Sequence, residues 1–518
     1  MNAETQPYPR RWQALGVLAL SLLVITMGNT ILNVALPTIR DSLDATSSQL
    51  QWISDGYLLV FAGLLLAAGS LGDRFGRRRA LVGGLTVFGA GSLFAIFADS
   101  STALIAARAV MGLGAAFVMP TTLSILTNIF PADERPKAIA AWAAVSGIGV
   151  AIGPTSGGWL LEHFAWNSVF LINIPIVLIS IAGAALLVPE SRDPDSPRLD
   201  LAGAGLSIAG LTAVVWGLIE APERGWTSAT IIGAFAAGAA ILAAFVAWEQ
   251  RTDHPMLDVR VFRNLRFSAA SLSIAFVFFA LMGVMYFLTQ YMQTVLGFTA
   301  LETGIRVLPI AAGMVLASKV SVALSQRLGT KLVVAGGLGT VAAALMMVAG
   351  FKADTAYGPI GMALGMMGLG IGLAMSPATE AIMGSLPRAK AGIGSAMNDV
   401  VREVGGTLGI AVLGSLLTTG YGSGMDSAVA GLPPEAAEGA SDSIGAAHDV
   451  AGQVGGSAGD TVVGLANQAF VDSMATTATI AAAFAVVGAL IAAFFLPARA
   501  RTGPVGAGSG VLPEPVAA

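Results

Sequence analysis

The chain has no cysteine, only three histidines and few charges: 11% of its 518 residues are Asp, Glu, Lys or Arg. Each shortage removes a class of function. Without cysteine there is no disulfide framework, no thiolate-bound zinc or iron–sulfur site and no thiol nucleophile. His163, His254 and His448 lie far apart in sequence, which argues against a histidine metal site. No G-x-x-x-x-G-K-[ST] stretch occurs, so the chain carries no phosphate-binding loop of its own. Any work it does draws on an ion gradient or on the gradient of its substrate. A soluble globular chain carries about 25% charged residues, and a water-facing surface cannot be made from less than half of that. Soluble enzymes, nucleic-acid binders and disordered scaffolds are thereby excluded.

What is present is apolar: 55% hydrophobic residues, 64 glycines and a mean hydropathy of +0.77. A helix needs about 20 apolar residues to cross a bilayer, and about 14 such runs are marked out along the chain. The first follows Arg10-Arg11 and extends from Trp12 to about Ala35. It is longer than a signal-peptide core and lacks a good cleavage site, so it reads as a retained membrane helix. The predicted fold class is an all-α polytopic membrane protein with 14 spanning helices. Fourteen spans put both termini on one side.

Lys and Arg then sort. About 20 of the 27 fall on the side of Arg10, among them Arg74, Arg77, Arg78, Arg79, Arg135, Lys137, Arg192, Arg266, Arg327, Lys331, Arg388 and Lys390. Only about three lie opposite: Arg40, Arg224 and Lys352. The positive-inside rule assigns the Arg10 side, with both termini, to the cytoplasm. The excess of Arg over Lys, with abundant Ala and Gly, points to a GC-rich bacterial genome and hence to a bacterial plasma membrane.

A repeat divides the chain. Gly72-Asp-Arg-Phe-Gly-Arg-Arg-Arg-Ala-Leu-Val-Gly-Gly84 follows the second run, and Ser325-Gln-Arg-Leu-Gly-Thr-Lys-Leu-Val-Val-Ala-Gly-Gly337 follows the tenth. An offset of eight helices makes two six-helix repeats with a pair of extra helices between them (6+2+6), and parallel six-helix repeats are a transporter architecture. The expected divisions are a first bundle over 1–190, two linker helices over 191–265, a second bundle over 266–500 and a cytoplasmic tail over 501–518. Within the second bundle, residues 421–467 are rich in Gly, Ala and Ser and carry six acids but no Lys or Arg. They read as an extracellular loop, flexible or partly helical.

Four motifs carry chemistry. Gly69-Ser-Leu-Gly-Asp73-Arg74-Phe-Gly76-Arg77-Arg78-Arg79 joins runs two and three. A positive-inside anchor accounts for its arginines but not for its Asp-Arg-x-Gly order. Gly76 suits a tight turn, and Asp73 suits a helix N-terminus or a cation. Arg108 stands several residues inside run four. At about 2.5–3.5 kcal/mol for a central Arg, it should face the bundle interior and find an acidic or carbonyl partner. In run five, Gly149, Gly153 and Gly157 recur at i, i+4 and i+8, with Pro154 and Gly158 beside them. That stripe allows close helix approach, and the proline bends the helix. Run one carries Gly28-Asn29-Thr-Ile-Leu-Asn33-Val-Ala-Leu-Pro37.

With these motifs the chain resembles the major facilitator superfamily, in its branch of 14-helix drug:proton antiporters, over roughly residues 12–420 and the last helix. The resemblance implies alternating access between two halves. It implies a conformational lock at Asp73 and its neighbours, and export rather than uptake from the Gly-Pro-x-x-Gly-Gly order in run five. Two positions depart from the family pattern. Gly28 stands where an Asp is usual, and Asn29 beside it cannot carry a proton cycle. Trp166-Asn167-Ser168 lacks the Arg often found between aromatics there.

Intramembrane acids are costly unless paired or hydrated, so each is a candidate. Asp55 in run two is the first candidate for proton or cation binding, with Arg108 tuning it. The competing role is a static ion-pair partner. Glu380 in run twelve is the second, with a helix-end charge near Arg388 as its alternative. Asp399 is the third. It shares run thirteen with Arg402 and Glu403, where a local salt-bridge cluster is the plainer role. Asn29, Asn33, Tyr286, Gln290 and Gln293 are candidate substrate contacts in a cavity with aromatic and Met walls.

The expected activity is proton-coupled efflux of small amphiphilic molecules by a monomer in the lipid bilayer, with no cofactor, no metal and no nucleic acid. An uptake or facilitative porter, a non-transporting receptor or channel, and a membrane-embedded enzyme are the alternatives. The last lacks any metal or nucleophile constellation.

Overall fold

The structure is a computed structural model that describes residues 8–45, 47–192, 200–252, 255, 257–387, 390–425, 429 and 434–497. The expected tail over 501–518 and the expected Glu380 neighbour Arg388 lie outside the described residues. Among the described residues there is no strand.

Six spans make the first half: α1 (Arg11–Leu43), α2 (Ser47–Phe75), α3 (Arg77–Ile96), α4 (Ser101–Ile129), α5 (Arg135–His163), and a broken sixth made of α6 (Ser168–Leu171) and α7 (Asn173–Leu187). Two further spans follow, α8 (Leu201–Arg224) and α9 (Ala229–Glu249). The second half runs α10 (Leu265–Gln290), α11 (Ala300–Arg306) with α12 (Leu308–Leu328), α13 (Thr330–Val348), α14 (Tyr357–Met383) and α15 (Ala391–Met425). It then makes the short α16 (Pro434–Asp442) and α17 (Ile444–Val454), and closes with α18 (Gly456–Phe495). Fourteen of these segments are long and apolar enough to cross a membrane. The chain is a multi-pass membrane protein.

Local sequence sets many of the ends. Ser100, Ser228 and Asp200 each cap a helix by accepting from a backbone N–H three residues on. Thr299 and Glu302 form a reciprocal capping box at α11. Large apolar side chains point outward, among them Phe97 and Leu186 at 76% exposure and Phe494 at 73%. In water these would be a liability; in a bilayer they are the lipid face.

The basic residues gather at one end of the bundle, called here the basic end. The halves meet along a seam where α2 and α4 pack on α15, and α5 packs on α11, α12 and α14. The extra helix α8 lies over this seam and touches both halves. Gly63 of α2 sits against Thr212, and Trp226 Nε1, just beyond α8, donates to Ser415 Oγ of α15 at 3.0 Å.

Two helices outgrow the bilayer. At 1.5 Å per residue, the 35-residue α15 is about 52 Å long and the 40-residue α18 about 60 Å, against a hydrocarbon core of about 30 Å. Their far ends carry α16 and α17. Tyr421 Oη donates to the Ala440 carbonyl at 2.9 Å, His448 Nε2 meets Asn467 Oδ1 at 2.9 Å, and Ala440, Ile444 and Ala447 are buried. The described part of 421–467 is thus largely helical and packed.

Candidate functional site

At the basic end, the turn after α2 brings the halves together. Gly76 adopts φ +115°, a conformation that costs glycine nothing. The turn leaves Asp73 5% exposed and pointing at the start of α15. Gly392 N donates to both carboxylate oxygens, at 3.0 and 2.9 Å, and Ile393 N donates to Oδ2 at 3.3 Å. Arg77, 1% exposed, closes the other side with Nε 2.7 Å and its terminal nitrogen 2.7 Å from Oδ1. An anion at a helix N-terminus is stabilised by the unsatisfied amides and the dipole, so Asp73 ties one half to the other. Gly69 makes the approach possible: a Cβ there would stand 2.7 Å from the Gly392 carbonyl oxygen.

Arg78 and Arg79 of the turn meet a partner in their own half. Arg78 and Arg79 lie 3.8 and 3.7 Å from Glu190 after α7, and Arg78 N donates to Glu190 at 3.1 Å. Arg74 lies over the neighbouring Phe75 ring. In the same half, Arg11 grips Glu134 with two contacts of 2.7 Å and holds that carboxyl below the usual range.

Glu380, half-buried near the basic end of α14, lies within electrostatic reach of Arg135 at the start of α5 and of Arg266 at the start of α10. It therefore stands at the seam, with Arg135 on the opposite half.

Deeper in the bundle, Arg108 is fully buried. Its Nε donates to the Ile53 carbonyl of α2 at 3.1 Å and Nη1 to the Gly28 carbonyl of α1 at 3.5 Å, while the guanidinium lies 4.4 Å from the centre of the Tyr57 ring. Carbonyls and an aromatic face hold the cation and pin α1, α2 and α4 to one another. Asp55 is half-buried on α2. Two residues from Tyr57, it projects about 200° round the helix from the face that meets Arg108.

Asp399, Arg402 and Glu403 lie on α15, about 12 to 18 Å along the helix from its basic end. Asp399 is 2% exposed. Its Oδ1 accepts from Arg402 at 3.5 Å and from Asn398 Nδ2 at 3.4 Å, and its buried Oδ2 has no hydrogen-bond partner. Thr379 of α14 in turn donates to Asn398 Oδ1 at 3.3 Å. Glu403 lies within electrostatic reach of Arg402 and, across the seam, of Tyr57. Asp399, Arg402 and Glu403 thus lie together at the seam, with Tyr57 and Trp142 of the first half beside them. Among the described residues no group of His, Asp and Glu is arranged to hold a metal ion.

The glycine stripe of α5 receives α1. A Cβ at Gly157 would stand 2.7 Å from Ile31, and those at Gly149 and Gly153 would collide with the hydroxyls of Thr26 and Thr30. Thr30 also donates to the Gly149 carbonyl at 3.4 Å. Beyond it, Gly158 faces Leu301 and Pro154 faces Gly304, both on α11 of the other half. The motif therefore serves two joints, one within its half and one across the seam.

The candidate substrate contacts do not gather in one place. Asn29 is half-buried on α1, and the side chain of Asn33 lies outside the described residues. Tyr286 is 41% exposed and rests against Gly414 of α15. Gln290 donates to the Tyr286 carbonyl at 3.5 Å, and Gln293 is exposed beyond it in a π-helical turn (Tyr291–Val295). Sequence reasoning missed Tyr57 and Trp142 as parts of the central cluster. The i, i+4 spacing of Ile53 and Tyr57 on one face of α2 was the available signal for the first; Trp142 left none.

The family model of the Major Facilitator Superfamily matches residues 18–410. The chain is 38% identical over 488 residues to the multidrug efflux pump LfrA of Mycolicibacterium smegmatis, covering 94% of this chain and 96% of that one. It is 31% identical over 493 residues to the tetracenomycin C resistance and export protein of Streptomyces glaucescens, covering 94% and 91%. Among solved structures, the human organic anion transporter MFSD10 aligns with a TM-score of 0.63 at 13% identity, over 93% of this chain and 100% of that one, a likeness of fold alone.

Proposed function

The chain belongs to the Major Facilitator Superfamily, and from that premise we propose that it exports amphiphilic small molecules, drugs and antibiotics among them, in exchange for protons. It works as a monomer in a bacterial plasma membrane. The basic end and both termini are cytoplasmic, in line with the distribution of Lys and Arg. The related proteins named for multidrug efflux and antibiotic export support export over uptake.

The observation that carries the coupling is Asp399: a carboxyl 2% exposed, with one oxygen lacking a hydrogen-bond partner, about 12 Å along α15 from its basic end and beside the seam residue Arg402. Ionised, such a buried carboxylate is costly in the membrane, and the 3.5 Å contact with Arg402 meets only one of its oxygens. Binding a proton or a cation relieves that cost, and those are the two species an antiporter exchanges. Asp55 is the second coupling candidate. Glu380, facing Arg135 across the seam, acts with Asp73 in closing the cytoplasmic side, and Arg108 positions Tyr57 next to Glu403.

The cycle follows. With Asp73 seated on the start of α15, the cytoplasmic ends are closed. Unseating it lets the halves rock about their central contacts and admits substrate from the cytoplasm. One charge crossing 100 mV supplies about 2.3 kcal/mol, roughly a fifty-fold gradient for a neutral substrate. Exchange of one proton for one monocation moves no net charge. The pH gradient alone then drives transport, at about 1.4 kcal/mol per unit.

Expression in an efflux-deficient bacterial host, profiled against a panel of drugs and dyes, tests the assignment. Wild type is expected to raise resistance at least several-fold for some amphiphiles. Asp399→Asn is expected to lose nearly all of it at wild-type membrane abundance, and Asp55→Asn only part. Full resistance with Asp399→Asn removes Asp399 from coupling.

A further inference from the structure

The linker helices bring two acids together at the basic end. Asp200 caps α8: its Oδ1 accepts from Gly203 N at 2.7 Å, and its two oxygens accept from Trp248 Nε1 at 2.9 and 3.0 Å. Those donors, at a helix N-terminus, suit an ionised carboxyl. Glu249, the last residue of α9, is 4% exposed. Its Oε2 accepts from Leu257 N at 3.0 Å, while its Oε1 is buried and has no hydrogen-bond partner. That oxygen converges on Asp200: a Cβ placed on Gly203 would meet Asp200 Oδ2 and, at 2.7 Å, Glu249 Oε1. Ionised carboxylates only accept, so neither can satisfy the other. A buried ion facing a like charge is costly. A proton on Glu249 removes the repulsion and supplies the donor. From a third element, Lys390 directly precedes α15, donates through Nζ to the Pro255 carbonyl at 3.4 Å and lies within electrostatic reach of Glu249. Among the described residues, Asp200 and Lys390 are the charged groups that act on Glu249.

We propose that Asp200 and Glu249 hold one proton between them and form a proton-binding site of the linker helices that reads cytoplasmic pH. Its cytoplasmic placement rests on the reading above. In the closed form Glu249 Oε1 carries the proton and donates to Asp200 Oδ2, fastening the end of α9 to the start of α8. As the pH rises the proton passes to cytoplasmic water, and two carboxylates are left face to face. Glu249 then exchanges Asp200 for its other neighbours, the Leu257 amide and the Lys390 ammonium. Only the protonated pair makes the shared bond, so the fastening is strongest in acid and is lost with rising pH. Lys390 stands two residues before Gly392, whose amide holds Asp73 across the seam. A change of partner at Glu249 therefore acts on the α15 end of the cytoplasmic latch.

The test uses the purified full chain in lipid nanodiscs, with spin labels on Leu201→Cys and Arg251→Cys, both exposed positions in a chain without native cysteine. As the pH is raised, the labels are expected to pass from a short to a long distance. The closed-to-open ratio should fall about tenfold per pH unit beyond the midpoint, the slope of one proton. Glu249→Gln carries an amide that donates to Asp200 at every pH and is expected to stay short throughout. Glu249→Ala is expected to be long throughout; if it does not fold, Glu249→Gln carries the test alone. Lys390→Gln removes the cation that favours the ionised carboxyl and is expected to move the midpoint upward, by about threefold in proton concentration. A wild-type distance that ignores pH overturns the proposal, and so does a Glu249→Gln variant that opens at the wild-type midpoint. A midpoint that moves with Na⁺ or K⁺ at constant ionic strength also overturns it, making the pair a site for a metal cation. In vesicles of known orientation, a response only to pH on the side away from the termini's assigned compartment would defeat the orientation and leave the carboxyl pair standing. Absence of proton-linked export with the distance change intact would defeat the export reading alone.

Discussion

The turns at Gly72–Gly84 and Ser325–Gly337 share a sequence pattern and a backbone shape but not a task. Both pivot on a glycine at positive φ, +115° at Gly76 and +87° at Gly329. In the first, Asp73 and Arg77 are buried against the start of α15. In the second, Gln326 occupies the Asp73 position and is exposed, and Thr330 replaces Arg77. The glycine preserves the turn; the carboxylate makes the latch. A duplicated shape has thus been given one interdomain bond rather than two. The second half meets the first at the basic end through Glu380, which faces Arg135 without a matching helix-terminus contact.

Four changes break or sharpen this contrast. The largest effect is expected from Asp73→Asn, which removes the carboxylate that the Gly392 and Ile393 amides hold across the seam. Hydrogen bonds to a charged group contribute about 1.5–3 kcal/mol, so the latched state should fall by about 10- to 150-fold relative to the open one. Spin labels on single cysteines introduced at the two basic ends would show the longer distance, and the chain has no native cysteine to interfere. Next is Gly69→Leu, whose side chain meets the Gly392 carbonyl; transport is expected to drop about tenfold through a population shift of about 1.4 kcal/mol. Gln326→Asp is expected to leave transport unchanged and not to restore Asp73→Asn, because its position is exposed. Rescue there would mean that the second turn also reaches across the seam. The smallest effect is expected at Glu134→Gln, on the half-buried pair with Arg11. Arg11 holds the Glu134 carboxyl below its usual value, so the pair contributes only while that carboxyl is ionised and its contribution is lost as the pH falls through the lowered value. Melting curves of variant and wild type should therefore differ slightly at pH 7 and coincide in acid.

The fourteen spans were legible because bilayer thickness imposes a length on apolar runs, whatever their partners. The same logic hid the true extent of α15 and α18. A hydropathy window sees the part in lipid, and the ends that project toward α16 and α17 are helical for reasons of packing and capping. The Asp-Arg-x-Gly order announced a special role for Asp73 because an acid in a basic loop is out of place. Its contact with Gly392 was not legible, since nothing local to either segment specifies which distant helix begins beside it. Arg108 was marked by its cost in a membrane, and the expectation of an acidic or carbonyl partner left open the carbonyls of Ile53 and Gly28 and the Tyr57 ring. The cluster around Asp399 was visible as spacing on one helix, but the aromatic rings beside Arg402 come from α5 and α10. Only the assembled seam shows that Arg402 lies between the halves.

The most direct test of the central claim uses everted membrane vesicles, acidified inside by respiration and containing a pH-gradient dye. Added to vesicles with the wild-type chain, a translocated amphiphile is expected to enter as protons leave, with partial recovery of dye fluorescence; vesicles with Asp399→Asn should show none. Accumulation of the amphiphile at an undiminished rate after the pH gradient and the membrane potential have been collapsed, with no proton release on its addition, would contradict proton-coupled export.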